Sequence, residues 1–154
     1  MIQDAAAKEK LLQEWHFVRR SQGILKSRAV ASFGGGGIGM VGIYSEYYAL
    51  LLVLGFSVLE HTLEAIADQG TFKPKRWGLE TLMIGAQTAG VKWQNYPAID
   101  SGRQKRNDLA HRQVIPVAED TFRMLDEIEA ELIGWDILAE PVNHDFSVSV
   151  HRTS

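Results

Sequence analysis

The chain contains no cysteine, and this absence excludes a disulfide framework, a thiolate metal site and a cysteine nucleophile. The N-terminal residues are polar and mixed in charge, so they lack the basic-then-apolar pattern of a secretory signal. A long hydrophobic run is missing too. The most apolar stretch, residues 47–59, has thirteen uncharged residues, whereas a membrane span needs about twenty. We therefore predict a cytoplasmic protein that does not enter a membrane.

The net charge of the chain is also small. The 154 residues carry a net charge of −3, so the protein is not expected to coat nucleic acid by bulk electrostatic attraction. Hydrophobic residues make up 45% of the chain and charged residues 23%, which is ordinary for a folded domain with a core. We assign residues 1–140 to a single helical domain and residues 141–154 to a C-terminal tail.

The spacing of apolar residues predicts an all-α fold, an up-and-down bundle of four to five helices with a short extended C-terminal tail. The second helix is apolar nearly all round at first, so we expect it in the middle of the bundle. In the tail, Phe146, Val148 and Val150 alternate as in a short strand. The helices are predicted at approximately 3–26, 45–69, 74–90, 101–112 and 116–135.

Three features mark the ends of these helices. Pro74 and Pro116 suit the first turns of the third and last helices, and Asp100 or Ser101 can cap the fourth. Residues 33–42 contain six glycines and predict a loop. Their G-x-G-x-x-G pattern lacks the surrounding strand–helix–strand rhythm of a dinucleotide site, so we interpret it as a connector.

The last helix has the clearest pattern in the chain. Its apolar stripe consists of Phe122, Leu125, Ile128, Leu132 and Trp135. Its acidic residues are predicted to face solvent, and these are Asp126, Glu127, Glu129 and Glu131.

Positive charge is concentrated around one histidine. Between residues 103 and 112, four basic residues oppose Asp108 alone, a local net charge of +3. On a helix, Asn107 and His111 share a face, and Arg106 projects from a neighbouring one. A histidine that transfers protons, beside arginine and amide donors for phosphate, suits RNA cleavage by attack of the ribose 2′-hydroxyl without a metal ion. The alternative is a solvated amphipathic helix.

The segment RNDLAH, residues 106–111, resembles the signature of HEPN domains, in which Arg-Asn is followed after three residues by His. Many members of that all-α family are metal-independent endoribonucleases acting as toxins, in phage defence or in RNA processing. The resemblance implies a homodimer whose two motif helices build a composite RNA-cleaving site, with no cofactor and no metal. It also implies an antitoxin or regulatory protein as a partner. A toxin branch of the family carries Tyr where this chain has Gln113, which speaks against membership of that branch and against pairing with its nucleotidyltransferase antitoxin.

The resemblance implies that Arg106, Asn107 and His111 are catalytic. We predict that the neighbouring basic residues Arg103, Lys105 and Arg112 bind substrate, although ordinary surface charges are the alternative. Two other functions stay open, a binding module for RNA, a nucleotide or a protein, and a structural oligomer. A second basic cluster, Lys73, Lys75 and Arg76, is interpreted as a solvated helix start, with an extended RNA surface as the alternative.

Overall fold

The computed structural model of the chain describes residues 2–33 and 41–144, and for residues 28–33 and 41–45 it describes the backbone alone. This part of the chain is an all-α helical bundle, as predicted. Its five helices are α1 (Ala5–Phe33), α2 (Val41–Asp68), α3 (Leu79–Thr88), α4 (Tyr96–Arg112) and α5 (Ala118–Gly134). The alternating segment of the C-terminal tail lies outside the described residues.

Helix α1 begins where the sequence predicts but continues further. The Asp4 carboxylate accepts hydrogen bonds from the backbone N–H groups of Ala6 and Ala7 at 2.9 and 3.3 Å, which satisfies two of the free donors of the first turn. The predicted end near Lys26 is wrong, because the helix passes through Gly23 to Phe33. A single glycine costs a helix only about 1 kcal/mol, and the burial of Leu25 beyond it offsets that cost.

Helix α2 is the centre of the bundle, as its apolar sequence predicts. It contacts each of the other four helices, and Phe56, Leu59 and Leu63 are fully buried. It begins at Val41, inside the segment predicted as a loop. Residues 46–68 are the only stretch of the described chain long and apolar enough to cross a membrane, with a mean hydropathy of 1.7. Just over half of that apolar stretch is buried inside the structure.

Helices α1 and α2 form an antiparallel pair. The backbone N–H of Gln3 donates to the Gln69 side chain at 2.7 Å, and the Glu14 carboxylate lies 2.9 Å from the His61 ring. The first residues of α1 therefore lie beside the last residues of α2.

Helix α3 begins at Leu79, and the predicted start at Pro74 is wrong. Gly78 has φ = 143°, a backbone conformation outside the helical region, so the helix can begin only after it. The first turn of α3 has no side-chain cap, because the capping position is this glycine.

Helix α4 begins at Tyr96, five residues earlier than predicted. The cap is Asn95, whose side chain accepts a hydrogen bond from the N–H of Ala98 at 3.4 Å, and it is neither Asp100 nor Ser101. Pro97 fits the first turn, where its missing N–H loses no helical hydrogen bond. At the other end, Gln113 adopts the left-handed conformation with φ = 55° and terminates the helix.

Helix α5 confirms the predicted apolar stripe but not the predicted acidic face. Glu129 and Glu131 are buried. Glu131 accepts the backbone N–H groups of Gln94 and Asn95 at 2.8 and 2.7 Å, and so fixes the start of α4 against α5. Burial raises the pKa of Glu131 above its ordinary value, although these two hydrogen bonds oppose the shift.

Candidate functional site

An open cleft of about 380 Å³ lies between α4 and the segment that leads into α3. From α4 it is lined by Arg103, Arg106 and Asn107. Its opposite wall is formed by residues 76–81, which include Arg76, Trp77 and the first turn of α3. Three arginines, one amide side chain and one indole therefore face the same volume.

Helix α4 can approach the core closely because Gly102 has no side chain. A Cβ atom there would meet Met124 of α5 and would lie 2.7 Å from the Phe56 ring of α2. The buried glycine holds one face of α4 against both helices. Arg103 and Arg106 follow it on the chain and line the cleft.

The structure brings together two of the three residues predicted to be catalytic. Arg106 and Asn107 line the cleft, whereas His111 lies one turn further along α4, is exposed and is not part of the cleft wall. No described residue contacts the His111 ring by a hydrogen bond or ion pair, so the ring is open to a partner from outside the chain.

The arginines of the cleft have acidic neighbours. Arg106 lies 3.7 Å from Glu60 of α2, and Arg103 lies 3.6 Å from Glu80 of α3. Arg103 also donates to Asp100 at 2.8 Å. The contacts to Glu60 and Glu80 are longer than good charge-assisted hydrogen bonds, so they neutralise charge without holding the guanidinium groups tightly.

Lys105 and Arg112, which the sequence predicts to bind substrate, lie outside the cleft wall. Lys105 donates a hydrogen bond to Asp120 of α5 at 2.6 Å and forms an ion pair with it. This hydrogen bond holds the pKa of Asp120 below its ordinary value. Arg112 lies 3.6 Å from Asp108, the pairing expected four residues apart on a helix. Of the three predicted substrate-binding residues, only Arg103 lines the cleft.

The sequence pattern does not predict that Arg76 and Trp77 line the cleft, since it favours a solvated helix start for the basic cluster Lys73, Lys75 and Arg76. Arg76 has no ion-pair partner among the described residues, and 59% of Trp77 is exposed to solvent. The available signal was the pair itself, since an arginine beside an aromatic residue is typical of nucleic-acid surfaces. Its position opposite α4 depends on tertiary structure.

An exposed apolar patch follows His111. Val114, Ile115 and Val117 are each about half exposed in the segment between α4 and α5. Such side chains next to a charged helix end favour contact with another protein surface.

The chain has no significant match among protein-family models, curated proteins or solved structures. The likeness of residues 106–111 to the HEPN signature therefore stays a prediction from six residues. In residues 2–33 and 41–144, no three His, Asp or Glu side chains are grouped as metal ligands would be.

Proposed function

We propose that the protein is a HEPN-like endoribonuclease that cleaves RNA without a metal ion. The observation that carries the proposal is the shared position of Arg106 and Asn107 in one arginine-lined cleft. A guanidinium and a side-chain amide can donate hydrogen bonds to the transition state of phosphate cleavage. Such donors stabilise it because negative charge builds up on the phosphate oxygens during attack.

The proposed reaction uses these residues in separate roles. His111 removes the proton from a ribose 2′-hydroxyl while water protonates the leaving 5′-oxygen, or His111 protonates that oxygen while water accepts the 2′-hydroxyl proton. The 2′-oxygen attacks the adjacent phosphorus, and the bond between phosphorus and the 5′-oxygen breaks. Arg106 stabilises the pentacoordinate intermediate, and Asn107 positions the phosphate. The products are a 2′,3′-cyclic phosphate and a 5′-hydroxyl.

A homodimer would complete this site. His111 lies outside the cleft of its own chain, and the apolar side chains of Val114, Ile115 and Val117 follow it directly. Packing this patch against a second copy would bring the two α4 ends together, so that His111 of one chain can serve the cleft of the other. A cytoplasmic location and a regulatory or antitoxin protein belong to the same proposal.

The second candidate is a module that binds RNA without cleaving it. The exposed position of His111, outside the cleft wall, favours this reading. In that case the arginines and Trp77 would hold RNA, and His111 would be dispensable for every function.

The test is incubation of the protein with mixed single-stranded RNA in EDTA, followed by analysis of the RNA ends. We expect cyclic phosphate ends from the wild type and almost none from His111→Ala or Arg106→Ala. The matched control is His16→Ala, since His16 is an exposed histidine on α1. If His111→Ala cuts RNA as well as His16→Ala does, the catalytic assignment is wrong. Intact RNA with all proteins, including the wild type, would leave the binding module as the better reading.

Mixing the two inactive variants tests the composite site. A dimer of one His111→Ala chain and one Arg106→Ala chain keeps one intact site, so an equal mixture should recover about a quarter of wild-type activity after subunit exchange. A site built within one chain would recover nothing. Light scattering on the same samples measures whether the protein is dimeric.

A further inference from the structure

The wall of the cleft opposite α4 has the features of a nucleotide-binding surface. Arg76 and Trp77 lie in the segment before α3, and both line the cleft together with Arg103 and Arg106. This pair takes no part in the proposed chemistry. The proposed chemistry therefore does not explain why these two side chains are exposed.

Trp77 is unusual among the tryptophans of this chain. Trp15 and Trp135 are buried, and Trp93 stacks edge-on against Trp135 and Tyr96. Trp77 is 59% exposed and makes no ring contact with any described aromatic residue. An indole in this setting offers a flat face on which an unpaired base can stack, and such stacking is tolerant of base identity.

The surroundings of Trp77 supply binding for the phosphate of the same nucleotide. Arg76 carries a charge that no described acidic residue neutralises. The first turn of α3 also lines the cleft, and the first N–H groups of a helix have no partner within it. The only acidic residue of the cleft wall is Glu80, and Arg103 lies 3.6 Å from it.

We propose that Arg76 and Trp77 form a subsite for one unpaired nucleotide of single-stranded RNA, next to the phosphate held by Arg106 and Asn107. The base stacks on Trp77, and Arg76 with the first turn of α3 binds its phosphate. This inference rests on the proposed function for the identity of the strand as RNA. It adds that the substrate is single-stranded, because a base within a duplex has no free face to offer.

The test measures binding apart from cleavage. All variants carry His111→Ala, and the probe is a fluorescent single-stranded RNA of roughly ten nucleotides, within the usual site sizes for such surfaces. Trp77→Ala should raise the Kd about fivefold or more, which is the low end for loss of one stacked base. Phe17→Ala is the matched control, since Phe17 is 60% exposed on α1. The control should bind as the parent does.

The contribution of the Arg76 charge to RNA binding is measured separately, through the dependence of Kd on salt concentration. Arg76→Gln should lower the slope of log Kd against log salt concentration by about 0.7, the contribution of one phosphate contact on a single strand. Arg20→Gln, at an exposed arginine of α1, should leave the slope unchanged. Competition by adenosine monophosphate and by a duplex of the same sequence distinguishes a free nucleotide and paired RNA from a single strand. The single strand should compete best.

Failure of this subsite and failure of the proposed function give different results. If Trp77→Ala and Phe17→Ala bind the probe equally, the subsite is wrong, whether or not the wild type cleaves RNA. Equal competition by the duplex would also overturn it. If the wild type cleaves nothing while Trp77→Ala and Arg76→Gln weaken binding as described, the subsite stands and the ribonuclease does not.

Discussion

Replacing Glu129 by glutamine should destabilise the fold strongly, because it removes one charge from a buried pair. The Arg19 guanidinium is 1% exposed, and its Nη2 and Nε atoms donate to the Glu129 carboxylate at 2.8 and 3.0 Å. The Trp15 indole N–H donates to the same carboxylate at 2.7 Å. Glutamine keeps the shape and one acceptor, so the loss is mainly that of the negative charge.

The expected cost follows from what remains around Arg19. Removing one partner of a buried ion pair costs about 3–5 kcal/mol. Asp126 stays 2.7 Å from Arg19 but is 64% exposed, so it compensates only in part. We therefore expect a loss of about 3 kcal/mol, the low end of that range. At about 2–4 °C per kcal/mol for a chain of this size, thermal unfolding should shift down by about 6–12 °C.

The dependence on pH gives a second measurement. Burial raises the pKa of Glu129, but the hydrogen bonds from Arg19 and Trp15 outweigh it, so the pKa lies below the ordinary value of 4.5. A lowered pKa stabilises the fold above pH 4.5, and this stabilisation is lost as the pH falls through the folded-state value. The difference between wild type and Glu129→Gln should thus be largest near neutral pH and shrink in acid.

The control variant is Asp126→Asn, which removes only the exposed end of the network and should cost at most about 1 kcal/mol. The double replacement Arg19→Met with Glu129→Leu should cost less than the sum of the two single changes, since no buried charge is left without a partner. Equal melting temperatures of Glu129→Gln and wild type at neutral pH would refute the reasoning.

Three further predictions concern stability. Gly102→Ala should cost about 1–3 kcal/mol in chemical unfolding, because its Cβ would collide with Met124 and Phe56; an unchanged midpoint would mean that α4 shifts freely. Gln113→Gly should raise stability by up to about 1 kcal/mol in the same assay, because glycine adopts the left-handed conformation without strain; a loss would show that the Gln113 side chain has a role of its own. Burial raises the pKa of Glu131, so the charged form of this side chain opposes folding as the pH rises above 4.5. Glu131→Gln should therefore gain stability relative to wild type between acid and neutral pH. A difference in stability that stays constant with pH would contradict this.

The parts of the fold that the sequence predicts are those with a long regular pattern. The apolar stripe of α5 and the all-round apolar start of α2 can be identified from spacing alone, because only one helix face or one central position can bury them. The polar core was not predictable in this way. Glu129 is three residues from Asp126 on the same helix, and nothing in the local pattern distinguishes the exposed carboxylate from the buried one. Arg19, which makes the difference, is more than one hundred residues away in sequence.

The predicted start of α4 is wrong for a related reason. The sequence between Trp93 and Pro97 contains residues typical of turns, and the same residues also suit the beginning of a helix. Asn95 can cap, and Pro97 can occupy a first turn. The choice is made by Glu131, whose buried carboxylate binds the N–H groups of Gln94 and Asn95 and so fixes where α4 begins.

The basic segment gives the sharpest contrast between local sequence and folded structure. Its local charge of +3 suggests a strongly attractive surface, but Glu60, Glu80 and Asp120 approach it from three other helices. If the protein is the proposed ribonuclease, its attraction for RNA cannot come from this segment alone. We propose that it comes from the cleft, where the contacts to Glu60 and Glu80 are long and Arg76 adds a charge from the opposite wall. In the proposed function, an incoming phosphate competes with Glu60 for Arg106, a pair held at 3.7 Å and only partly buried. Exchange of this kind costs little, because a partly exposed ion pair at such a distance contributes at most about 1 kcal/mol.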